Sequence, residues 1–206
     1  EYRDFPRPEV HAAFSALSQV DSVTVDPHKL GYLPYGTGAF VCRDHRAVEL
    51  LSEHADYVFR EGAADDYMTR YRQLGQFIPE GSKSGAAAAA VYVTHRVLPL
   101  DHAHFGIMPR QTVLAAEAFL ARAQRFAQDM APSLNACVPF HPDSNLVCLA
   151  LNPAGNLDIA EANTFVRDLY DGLRCDPRQP LQLKQFFASI TTLQRAMVGD
   201  AEMHRI

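Results

Sequence analysis

Asp26-Pro27-His28-Lys29 is the tetrapeptide of this chain best suited to chemistry. It follows an alternating run, Ser22-Val23-Thr24-Val25, and precedes a turn-rich stretch, Gly31-Tyr32-Leu33-Pro34-Tyr35-Gly36-Thr37-Gly38. A primary amine held at the end of a strand can condense with an aldehyde to form an imine. The amine reacts only when neutral, and burial or neighbouring cations lower its pKa toward that state. Taken alone, four such residues more often form a solvated turn.

The elements around the tetrapeptide must position it. Ser22–Val25 alternates like a strand, and Ala39-Phe40-Val41-Cys42 is a second apolar run, closed by Arg43-Asp44. Two strands bracketing the turn put Lys29 at a strand end, where α/β sheets commonly hold ligands. Residues 8–17 carry Val10, Phe14 and Leu17 at i, i+4 and i+7, with Pro8 suited to a helix's first turn. Asp44 can cap a helix over 44–52 with Val48 and Leu51 inward. Residues 55–81 lose periodicity and are punctuated by Gly62, Gly75 and Gly81, the pattern of a loop. A helix is expected over 84–96, capped by Ser82 or Ser84, with Ala86 to Ala90 suited to close interior packing. Residues 109–130 form a long amphipathic pattern with Val113, Ala116, Leu120, Ala123 and Ala127 on one stripe. Beyond it the pattern is α+β. Strands are expected over 135–140, 146–151, 183–190 and 193–198. A helix is expected over 158–173, with Ile159, Ala162, Phe165, Val166 and Leu169 inward.

Residues 20–44, VDSVTVDPHKLGYLPYGTGAFVCRD, closely resemble the lysine region of the pyridoxal-phosphate-dependent group II amino-acid decarboxylases, and within them the bacterial tyrosine branch. Residues 6–19, PRPEVHAAFSALSQ, and 80–100, EGSKSGAAAAAVYVTHRVLPL, are family-like as well, and the likeness is expected to fade after about residue 150. The resemblance implies an α/β, fold type I transferase-like architecture. Residues 1–105 would be the C-terminal part of the large cofactor-binding domain, and 106–206 a small α+β domain.

The same resemblance implies pyridoxal 5'-phosphate bound as an imine on Lys29. Neighbours on an extended segment point to opposite sides, so His28 does not readily reach the reacting carbon; the resemblance implies it near the cofactor phosphate, with support of the lysine turn as its alternative role. Asp26 is implied beside the cofactor; a carboxylate repels a phosphate unless paired, so capping the turn is its alternative role. Tyr57, 28 residues past Lys29, matches the separation of the family's proton-donating tyrosine, with Tyr67 and Tyr71 on the same segment. A phenol is a proton donor at neutral pH, and a closing loop would exclude water. Tyr35, Gly36 and Thr37 resemble a stretch that nears the neighbouring subunit's site, and they read equally as a tight turn. Lys83 is not expected to anchor anything.

The implied reaction is decarboxylation of an L-amino acid, tyrosine-like favoured, to the amine and CO2 in a homodimer. Glutamate decarboxylation and a carbon–carbon lyase acting on an amino-alcohol phosphate are alternatives within the family. A catalytically silent assembly or dimerisation domain is the alternative of another class. In the family a long segment precedes the lysine and supplies most of the phosphate grip. The chain is therefore expected to be the C-terminal portion of a larger enzyme, with the missing N-terminal half as its partner. Residues 1–100 alone would leave strand edges unpaired and apolar faces exposed.

Bulk properties narrow the partners. A length of 206 residues suits one sizeable domain or two small ones. Net charge of -5 gives no electrostatic reason to expect nucleic acid or an anionic membrane. No apolar run approaches the roughly 20 residues of a membrane span. Cys42, Cys137, Cys148 and Cys175 lie far apart without C-x-x-C spacing, which argues against a metal site or a disulfide framework. Cys42 and Cys148 read as buried thiols, so a cytoplasmic setting is expected. His102 and His104 read as loop residues.

Overall fold

The computed structural model describes residues 2–51, 74–78, 83–184 and 188–205, as helices mixed with two small sheets. The chain divides into two compact units, residues 8–109, and residues 1–7 with 110–206.

In the unit of residues 8–109, α1 (Pro8–Ser15) runs into a 3-10 turn, Ala16–Gln19. The expected apolar spacing is present, yet no residue of α1 is buried, and Phe14 is 61% exposed. β1 (Ser22–Val25) and β2 (Ala39–Cys42) pair antiparallel, with Val23 opposite Val41 and Thr24 opposite Phe40. The Arg43 guanidinium locks the end of this hairpin by donating to the carbonyls of Ser18 and Val20. Asp44 does start a helical turn. Its carboxylate accepts the Arg46 N–H at 3.0 Å and pairs with the guanidinium at 2.6 Å, which holds its pKa down to about 2. The turn is a 3-10 segment, His45–Leu51, rather than the expected inward-facing α-helix. Val48 is half-buried and Leu51 exposed, because so short a 3-10 run offers no wide apolar stripe.

Helix α2 (Ala86–Val97) begins where the Ser84 hydroxyl accepts the Ala86 N–H at 3.2 Å. No residue of α2 is buried, against the interior packing expected of its alanine run. The buried residues of this unit, among those described, are Leu33, Thr37 and Phe77.

Helix α3 (Ile107–Met130) leads into the second unit. Val113, Ala116, Leu120 and Ala123 are its buried residues, the stripe that a 3.6-residue period lays along one face. β3 (Leu134–Cys137) and β4 (Ala150–Pro153) pair antiparallel, with Cys137 and Ala150 buried opposite each other. Both strands are shorter than expected, and Cys148 falls just outside β4, half-buried. Helix α4 (Ile159–Leu173) packs on β4. Its N-terminus is built from polar links: Asn152 and Asn156 exchange amide hydrogen bonds, Asn156 Oδ1 accepts the Asp158 N–H, and Asp158 accepts the Ala160 N–H at 2.8 Å. Of the expected inward residues Ala162 is buried, Phe165 and Val166 are half-buried, and Ile159 and Leu169 are exposed.

Among the described residues, the strands expected over 183–190 and 193–198 are absent. Leu181–Leu183 is a 3-10 turn after Pro180, and residues 188–190 have no regular structure. Residues 193–198 lead into helix α5 (Arg195–Arg205), because Arg195, Ala196 and Met197 favour helix; Gly199, at φ 80, breaks it into two pieces. Among the described residues no helix is long and apolar enough to cross a membrane.

One carboxylate ties the N-terminal arm to α3. Glu117 accepts the backbone N–H groups of Arg3 at 3.0 Å, Asp4 at 3.1 Å and Phe5 at 3.1 Å. The Arg3, Asp4 and Phe5 bonds hold its pKa below the ordinary 4.5. A depressed folded-state pKa contributes stability that is complete above pH 4.5 and lost as the pH falls through the folded value. Glu117→Gln is expected to flatten the acid limb of a stability-against-pH curve there; an unchanged limb would refute the clasp.

Candidate functional site

The chain turns back as soon as β1 ends at Val25. The Lys29 N–H donates to the Asp26 carbonyl at 3.0 Å, the Tyr32 N–H to the Lys29 carbonyl at 3.1 Å, and the Leu33 N–H to the Pro27 carbonyl at 3.2 Å. Gly31 is required at this bend, since a Cβ there would lie 2.2 Å from the Pro27 carbonyl oxygen. Tyr32 follows at φ 55, a left-handed conformation that side-chain-bearing residues seldom adopt. That reversal sends Leu33 inward, where it is buried.

His28 braces the turn from within. Its Nδ1 lies 2.6 Å from the Thr37 carbonyl oxygen, and its ring centre 4.9 Å from that of Tyr35. Thr37 is 1% exposed, and its N–H and Oγ1 both donate to the Pro34 carbonyl, at 2.9 and 2.7 Å. The imidazole thus ties the lysine turn to the turn that feeds β2. The backbone of Lys29 is held, while its side chain reaches outward, 68% exposed.

Lys29 Nζ donates to Asp26 Oδ2 at 2.6 Å. This hydrogen bond, reinforced by the opposite charge, raises the Lys29 pKa above its ordinary value and lowers that of Asp26. The direction opposes the neutral amine that imine formation needs. Asp26→Asn is therefore expected to move the pH profile of Lys29 reductive methylation, read by peptide mass, to lower pH. A profile that stays in place would show that Asp26 has no hold on the amine.

The remaining expected residues fall in several places. Tyr57, Tyr67 and Tyr71 lie outside the described residues. Tyr35 is 88% exposed on a turn with Gly36, while Thr37 beside it is buried. His104 sits in a turn where Asp101 accepts the N–H groups of Ala103 and His104, its ring Nδ1 2.8 Å from the same carboxylate. Among the described residues no three His, Cys, Asp or Glu side chains gather as metal ligands. Sequence reasoning missed the Asp26–Lys29 pair, although its i, i+3 spacing was a signal. Support of the lysine turn by His28 was among the expected roles, but its partner, the Thr37 carbonyl, had no signal in the sequence.

Pyridoxal phosphate, implied by the resemblance, makes two demands on this region: a reachable amine and donors for a doubly charged phosphate. Lys29 fits the first, being exposed at the end of a braced turn. His28 has one ring nitrogen committed to Thr37, which leaves the other to meet a phosphate. Asp26, an acceptor only and already paired, fits as the amine's partner rather than as a phosphate ligand.

Comparison with known proteins adds an independent line. No family model matches the chain. It is 35% identical over 199 residues to an L-tyrosine decarboxylase of Enterococcus faecium, covering 96% of this chain and 32% of that protein. It is 35% identical over 172 residues to the L-tyrosine decarboxylase of Levilactobacillus brevis, covering 83% of this chain and 27% of that protein. An aspartate 1-decarboxylase of Aliivibrio fischeri is 39% identical over 71 residues, 34% of this chain and 12% of that protein. The chain spans about a third of the length of the first two relatives, or less. Alignment over 96% of the chain also corrects the expectation that the likeness fades after residue 150.

Proposed function

Because this chain is a homologue of bacterial L-tyrosine decarboxylases over most of its length, we propose that it is the lysine-bearing part of an amino-acid decarboxylase. The substrate class is a tyrosine-like L-amino acid, and the cofactor is pyridoxal phosphate. The observation that carries this reading is 35% identity across 96% of the chain, which takes in the braced turn of Lys29. In the same reading the protein has fold type I and acts as a homodimer. Residues 1–105 complete the large domain and 106–206 form the small one.

Each residue then has a task. Lys29 Nζ anchors the cofactor covalently. When bound, the cofactor supplies an electron sink for the charge left by departing CO2. His28 braces the anchor's turn through Thr37, and its second nitrogen would be the group that meets the phosphate. Asp26 keeps a negative charge beside the lysine nitrogen, which favours its protonated form. Tyr57 Oη donates the proton that replaces the lost carboxylate.

Borohydride reduction of the complete, cofactor-loaded protein tests the reading. A pyridoxyl adduct is expected on the peptide holding Lys29, with amine released from L-tyrosine faster than from L-aspartate. An adduct confined to another lysine would overturn the anchor. Preference for L-aspartate would overturn the substrate class.

A further inference from the structure

The contact between His28 and Thr37 decides where the imidazole carries its hydrogen. Nδ1 lies 2.6 Å from the Thr37 carbonyl oxygen. A carbonyl oxygen only accepts, so the hydrogen of this contact sits on Nδ1. The neutral ring is therefore the Nδ1–H tautomer, and its Nε2 bears a lone pair and no hydrogen. The acceptor is not free to turn away in favour of the other tautomer. Thr37 is 1% exposed, and its N–H and Oγ1 both donate to the Pro34 carbonyl, at 2.9 and 2.7 Å. Among the described residues nothing else hydrogen-bonds the His28 ring.

That lone pair is the wrong partner for a phosphate. A phosphate monoester loses its second proton at a pH of about 6 and above it offers acceptors only. A neutral Nε2 and a dianion are both acceptors, and two acceptors repel at hydrogen-bond distance. One proton between them reverses the sign, because an imidazolium N–H donating to a phosphate oxygen is a charge-assisted hydrogen bond. The titratable groups around the ring do not replace that proton. Asp26 and Lys29 are paired at 2.6 Å and together add no net charge beside it. The Tyr35 ring, centred 4.9 Å away, favours a cation as its neighbour.

We propose that seating the cofactor phosphate takes one proton from solvent into the contact between His28 Nε2 and a phosphate oxygen, because Thr37 holds the ring's other hydrogen on Nδ1. Neutral His28, the dianion and one proton become an imidazolium–dianion pair. One N–H bond forms, and nothing is oxidised or reduced. The inference rests on the reading in which His28 meets the phosphate, and adds to it the proton count and the tautomer. Its consequence is a cofactor held less tightly as the pH rises.

Two measurements on the complete protein test it, both with no imine at Lys29. Ring nitrogen NMR of the cofactor-free protein is expected to show neutral His28 protonated at Nδ1 and bare at Nε2; the opposite tautomer would overturn the proposal. The second is calorimetric titration with pyridoxine 5'-phosphate, which carries the phosphate but no aldehyde. Run at about pH 8 in buffers of different ionisation heat, it counts the protons taken up. The wild type is expected to take up about one proton more than His28→Gln, whose amide carries no charge. Its affinity should also fall about tenfold more per pH unit than that of the variant. Equal proton counts would overturn the proposal and leave the anchor untouched. A missing borohydride adduct at Lys29 would overturn the anchor and leave the proton count standing. The tautomer is read on the wild type, so it decides even where His28→Gln fails to fold.

Discussion

Lys29→Ala in the complete protein is expected to abolish borohydride-fixed cofactor and lower amine release on the order of a thousandfold or more. The size follows from the role proposed for the amine: no other side chain at this turn offers a primary amine, so no neighbour could replace it as the anchor. The nearest polar groups are the Asp26 carboxylate, which pairs with the amine, and the His28 imidazole, engaged with Thr37. Lys29→Arg is expected to fail equally, because a guanidinium keeps the charge but stays protonated and does not condense with an aldehyde. Retained turnover with either variant would remove Lys29 from the chemistry and leave the exposed ion pair as a surface feature, worth little on its own.

Gly31→Ala is the structural counterpart and is expected to cost about 2–3 kcal/mol of folding stability. The added methyl would fall 2.2 Å from the Pro27 carbonyl oxygen, 2.7 Å from its Cα and 2.8 Å from its carbonyl carbon, all backbone atoms that cannot swing away. Relief requires opening the turn, which breaks the bond from Leu33 to Pro27 and moves the support of Lys29. Gly36→Ala is the control: nothing lies within 4 Å of a Cβ there. Its stability should change by no more than about 0.5 kcal/mol. Urea midpoints of the two variants decide the matter, and equal midpoints would show that the bend at Gly31 is not constrained. If the turn governs the anchor, Gly31→Ala also slows cofactor trapping at Lys29, whereas Gly36→Ala does not.

Much of the fold was legible in the chain because local signals agreed with packing. The stripe of α3 was readable from Val113 to Ala123, since one face of a long helix has a single way to be buried. The strands flanking Lys29 were readable from alternation and from the turn residues between them. Asp158 announced the start of α4 by a cap that needs only its own neighbours. Where tertiary context decides, the reading failed. Residues 193–198 carry an apolar spacing compatible with a strand, but Arg195 to Val198 form the first part of α5, which Gly199 interrupts. The alanines of α2 suited interior packing, yet none of them is buried.

The candidate site divides in the same way. The residue types Asp26, His28 and Lys29, their order, and the need for a turn are properties of the sequence, because a strand end, a proline and a glycine constrain the backbone locally. That the imidazole reaches Thr37, nine positions away, and that Asp26 takes the amine at 2.6 Å were decided only when the chain folded. A hydrogen bond depends on where the second turn comes to rest, and no spacing along the chain encodes that distance. The same holds for the hairpin. Its alternation and its apolar run were in the sequence, but that Phe40 and Val41 both stay exposed, and that no third strand joins the pair among the described residues, became visible only in three dimensions, where burial is a property of neighbours rather than of residues.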